Sequence, residues 1–115
     1  MLFVCSLEGV GSGGAIVAGG GGDGNTQTAT FKLPSGTYQA VGMYKSFSQA
    51  YGGGCTVVAG GQTRIDLNYE NTGEQTTGIQ RNEFTMTSEF TCTLTAYGAN
   101  NTGMMCASCG IRKIG

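Results

Sequence analysis

At 115 residues the chain has room for one domain, and 6 basic against 7 acidic residues leave a net charge of −1. Basic residues are scattered apart from Arg112-Lys113, which excludes a nucleic-acid face, and no apolar stretch approaches the ~20 residues of a membrane helix. With no His the usual neutral-pH general base is missing, so the composition also argues against catalysis.

In chain order, residues 1–7 read as a first strand, with Phe3, Cys5 and Leu7 on one face and Leu2 and Val4 on the other. Positions 9–22 are Gly-rich around the apolar run Ala15-Ile16-Val17-Ala18, read as a short strand between tight turns. Residues 28–33 alternate, with Ala29, Phe31 and Leu33 on one face, and Pro34-Ser35-Gly36 is a turn. Residues 37–44 form the next strand and 46–54 a polar, Gly-rich loop carrying Phe47 and Tyr51. Residues 55–59 and 64–69 are strands joined by a Gly60-Gly61 hairpin, with Ile65, Leu67 and Tyr69 facing in. A polar loop is expected over 70–81.

The clearest signal follows. Phe84, Met86, Phe90, Cys92, Leu94 and Ala96 fall on alternate positions, broken only at Ser88, with Thr, Glu89 and Thr again between them. This period of two predicts one long half-buried strand over 84–96. A turn at 98–103 and a last strand over 104–114 complete seven to nine strands. The class is all-β: a single antiparallel β-sandwich over 1–115, with residues 1–30 a Gly-rich arm packing on it or on a neighbour.

Residues 31–69 also carry a family pattern. Phe31-Lys32-Leu33-Pro34-Ser35-Gly36-Thr37-Tyr38, followed by Val57-Val58-Ala59-Gly60-Gly61-Gln62-Thr63-Arg64-Ile65-Asp66-Leu67, resembles the core of carboxypeptidase-regulatory-like and transthyretin-like β-sandwich domains. The resemblance implies an Ig-like or transthyretin-like sandwich in which Tyr38 packs across the layers. It also implies an accessory role, since such modules occur in adhesins and on phage particles and rarely catalyse.

Cysteine is the one residue type with the makings of a chemical constellation: Cys5, Cys55, Cys92, Cys106 and Cys109. Cys106-Ala107-Ser108-Cys109-Gly110 resembles one knuckle of a zinc ribbon, but a structural zinc needs four ligands and only one such pair is present. No cofactor is expected, with zinc on Cys106 and Cys109 the runner-up. Cys5 and Cys92 sit at inward positions and read as small buried hydrophobes. Asp23 and Asn25 offer too few oxygens for calcium, and the Gly run at 19–24 lacks the Lys-Ser/Thr of a phosphate loop. Tyr44, Phe47 and Tyr51 are candidates for a binding surface or for filling the sandwich edge.

Three functional expectations follow, the last of them a small zinc-stabilised domain using Cys106 and Cys109. The first is a non-enzymatic structural protein of a virus particle, a bacteriophage capsid decoration or a tail or fibre component. It would be made in a host cytoplasm without a signal peptide. Its partners would be copies of itself and other virion proteins, with no nucleic acid and no membrane, and Ala15, Ile16, Val17 and Ala18 would add to neighbouring subunits of an oligomer. The alternative is an adhesion module that binds a glycan or a protein through its loops.

Overall fold

The computed structural model describes residues 3–6, 15–21, 26–46, 52–70, 76–98 and 105–115, and side chains within 26–45, 53–68, 77–97 and 107–115. Nine strands follow in chain order: β1 (Phe3–Ser6), β2 (Ala15–Gly21), β3 (Thr26–Leu33), β4 (Gly36–Ser46), β5 (Gly52–Ala59), β6 (Gln62–Glu70), β7 (Thr76–Met86), β8 (Phe90–Gly98) and β9 (Met105–Lys113). They form two antiparallel sheets, a five-stranded one in the order β1-β2-β9-β4-β7 and a four-stranded one in the order β3-β8-β5-β6. The expected all-β sandwich is present. Leaving β1 aside, the eight remaining strands follow the double Greek-key order of a jelly roll. The turn and hairpin of the family pattern fall between β3 and β4 and between β5 and β6, with Gly60 and Gly61 at φ of 64° and 75°. The transthyretin-like type itself does not follow from this strand order.

The core is filled from alternate positions of both sheets, with Tyr38, Ile65, Leu94, Ile111, Val57, Cys55 and Cys92 fully buried. One end is aromatic. The Tyr38 ring stacks on Phe84 at 6.0 Å and meets Phe90 edge-on at 5.1 Å, and the Arg64 guanidinium lies 4.4 Å over Phe84. The Tyr38 hydroxyl donates to the Pro34 carbonyl at 2.7 Å, tying strand to turn. The other end is built from Gly42, Cys55, Ala96, Ala107 and Cys109, all buried and all small.

Three expectations change. The alternating run 84–96 is two strands in different sheets, because Thr87, Ser88 and Glu89 carry the chain from β7 across to β8. Phe84 and Phe90 are six residues apart, an even number, so both still face the core and the alternation survives the crossing. Position 88 is where the apolar pattern lapses. The polar stretch 70–81 is not one loop, since β7 begins at Thr76. Its polar residues have a structural use: Gln80 Oε1 accepts from the Asp66 amide at 2.8 Å and Asn82 Nδ2 donates to the Arg64 carbonyl at 2.8 Å. Two inward positions of β7 thus bond the backbone of β6, the edge of the opposite sheet. Similarly, the loop expected over 46–54 is shortened at its end, where Gly52 already opens β5.

Ala15 to Ala18 also take a different place from the one expected. They lie in β2, an interior strand paired with β9 from Ala15↔Arg112 to Gly21↔Cys106 and with β1 on its other side. Ile16 to Gly19 have ladders on both edges, so their backbone groups are engaged within their own sheet.

Candidate functional site

The four-stranded sheet presents a regular outer face. Its cross-strand register aligns three rows. Thr30, Thr93, Val58 and Thr63 form one, Thr28, Thr95, Thr56 and Asp66 the next, and Thr26, Tyr97, Gly54 and Asn68 the third. Short β-branched residues suit such a surface because branching at Cβ restricts χ1 and limits where the hydroxyls can point. The hydroxyls of Thr30 and Thr93 are 3.2 Å apart and those of Thr28 and Thr95 3.5 Å, so β3 and β8 are linked by side chains as well as backbone.

The third row contains an aromatic among these polar groups. Gly54 separates Tyr97 from Asn68, and with no side chain between them the Tyr97 hydroxyl donates to Asn68 Oδ1. Asn68 Nδ2 in turn donates to Asp66 Oδ1 at 2.9 Å. Through its backbone amide Asp66 is held by Gln80 of the opposite sheet. Gly54 is required here, because its φ is 151° and a Cβ would collide with the Leu67 carbonyl. Burial, then the Asp66 charge, raises the Tyr97 phenol above its ordinary value, which keeps its proton in place as a donor.

This face offers hydroxyl, amide and carboxylate groups around one half-buried ring. It is suited to recognition by hydrogen bonding. Among the described residues, no group of three or more Cys, Asp or Glu is placed to hold a metal ion.

The sites expected from sequence fall elsewhere. Tyr44 is half-buried in β4, in the other sheet, where its ring covers Gly78 directly opposite on β7. Phe47 and Tyr51 lie outside the described residues. Cys106 and Cys109 both lie within β9, and no turn separates them as a zinc knuckle requires. Along the strand the two positions are about 10 Å apart. Sequence reasoning missed Tyr97, Asn68 and Asp66. The available signal was the outward Thr alternation at 26–32 and 91–95, which needed the cross-strand register to become a surface.

No family model matches the chain, and no curated protein matches it. Several solved structures are similar in architecture. A CBM36 domain of a multidomain xylanase from the hindgut metagenome of Trinervitermes trinervoides aligns over 98% of this chain and 87% of its own, with 16% identity and a TM-score of 0.46. A carbohydrate-binding module of Cellvibrio mixtus lichenase 5A, solved with cellotriose, aligns over 99% and 88%, with 16% identity and a TM-score of 0.42. The C-terminal CBM6 domain of LamC, a marine laminarinase from Zobellia galactanivorans, aligns over 96% and 88%, with 19% identity and a TM-score of 0.42.

Proposed function

We propose that the outer face of the four-stranded sheet is a non-catalytic binding face for a neutral glycan. The observation that carries the reading is the chain Tyr97–Asn68–Asp66, set beside two rows of threonines on the same face. A sugar presents C–H groups on one side of its ring and hydroxyls around the rim. An aromatic ring with an amide, a carboxylate and aligned hydroxyls complements both features. A surface in a chain with only 11% charged residues suits an uncharged partner. The virus-particle reading keeps its compositional basis, the low charge and the Gly content, and gains no residue-level feature among the described residues.

The test is affinity electrophoresis through gels containing a β-glucan, an α-glucan, a xylan or a mannan. Retardation by at least one polymer is expected. Tyr97→Ala and Asn68→Ala should each weaken it roughly tenfold or more, as loss of a central aromatic or a buried polar contact does. Their melting temperatures should stay close to that of the parent. Unretarded migration in all four gels, or variants that bind like the parent, would sink the reading.

A further inference from the structure

The described cysteines Cys55, Cys92 and Cys109 are buried free thiols, and two of them meet across the sandwich. Cys55 is on β5 of the four-stranded sheet and Cys109 on β9 of the five-stranded one. Gly42 of β4 is the ladder partner of Cys109, and a Cβ built on Gly42 would lie 2.7 Å from the Cys55 sulfur. Directly opposed residues hold their Cβ atoms about 5 Å apart, so the Cys55 sulfur occupies the space beside Cys109 that Gly42 leaves empty. From the other side, the Cys109 sulfur lies 3.7 Å from the carbonyl oxygen of Thr56, the residue following Cys55, and 3.6 Å from that of Thr95. The two thiols also hydrogen-bond to each other. That bond, followed by burial, raises the Cys109 thiol, and acceptance of the bond holds Cys55 lower.

We propose that Cys55 and Cys109 are an oxidation site at which a disulfide joins the two sheets, with a small-molecule disulfide such as oxidised glutathione as the oxidant. Cys55, as thiolate, attacks one sulfur of the oxidant and releases its other half as a thiol. Cys109 then gives up its proton and attacks the Cys55 sulfur, expelling the second half. Two protein thiols lose two protons and two electrons, and the oxidant leaves as two thiols. Both sulfurs are inaccessible in the closed domain, so exchange takes place during folding or when this end opens. Cys92 is a poorer partner on geometry, since it sits on β8 opposite Ala59, at the far end of β5 from Cys55. Cys106 and Cys109 lie three positions apart along β9, about 10 Å, which is beyond the reach of a disulfide.

The experiment is to refold the full chain in a glutathione redox buffer, block residual thiols and map the linked peptides. A Cys55–Cys109 peptide is expected, with a melting temperature above that of the reduced protein by about 10 °C or more, as for a bridge closing a loop of this length. Cys92→Ala should retain both results and Cys109→Ala should lose both. The parent peptide map decides even where a variant fails to fold. A bridge through any other cysteine, no bridge after complete refolding, or a bridge that lowers the melting temperature would each overturn the proposal.

Discussion

The two ends of the core use opposite kinds of residue. At one end three rings, Tyr38, Phe84 and Phe90, lock together under the Arg64 guanidinium. At the other, the small residues Gly42, Cys55, Ala96, Ala107 and Cys109 bring the sheets together beside Ile65 and Leu67. The aromatic end gains from large buried area and ring geometry. The small-residue end gains close approach, which places two thiols in contact and leaves Gly54 bare beneath Tyr97. Bulk and chemistry are therefore segregated along one core, and the candidate binding face lies over the end with less bulk.

The largest expected effect is at the aromatic end. Phe84→Ala removes the ring that contacts Tyr38, Phe90 and Arg64, and should cost about 3–5 kcal/mol in urea denaturation. A cost below about 1 kcal/mol would mean that the rings do not distinguish this end. Gly42→Ala probes the other end in the opposite sense, by adding atoms. Its methyl would press on Cys55 Sγ and Ile65 Cγ2, both at 2.7 Å, and should destabilise by about 1–3 kcal/mol. A neutral result would show that the sheets have slack at this contact.

The smallest effect concerns how the two ends hold their thiols. Cys92 is raised by burial alone, from 9.0 to about 12, whereas Cys55 and Cys109 perturb each other. A thiol is neutral when protonated, so the folded state keeps the Cys92 proton to higher pH than the unfolded chain does. Its contribution is complete below pH 9 and is lost as pH rises from 9 towards 12. For the reduced protein, Cys92 should account for about 1 kcal/mol of lost stability at pH 10 relative to pH 8. Urea midpoints for the parent and Cys92→Ala at both pH values measure that share. An identical loss in the variant would place the titration elsewhere.

Much of the fold was legible because strands announce themselves by period. Residues 28–33, 55–59 and 64–69 lie within observed strands, the Gly60-Gly61 hairpin is where the glycines put it, and Tyr38 and Cys92 are buried as expected. The start of β7 was hidden because Gln80 and Asn82 occupy inward positions yet are polar. They bond the backbone of another strand, a role no local pattern encodes. The passage from β7 to β8 was hidden for the converse reason. An even spacing across Thr87–Glu89 preserves the alternation, so a change of sheet leaves only Ser88 as its trace. The candidate site was illegible because Tyr97 and Asn68 are brought together by strand order, through a glycine that belongs to neither strand.

The two amides on β7 have a consequence for how this molecule meets others. β6 ends its sheet, and an end strand ordinarily exposes a row of groups on which a foreign strand can grow. At Asp66 and Arg64 those groups are already engaged by Gln80 and Asn82, side chains standing in for the strand that is missing. A visiting chain would have to displace both before it could pair there. The domain thus carries a local guard against strand-by-strand aggregation along the same border that supports its polar binding face.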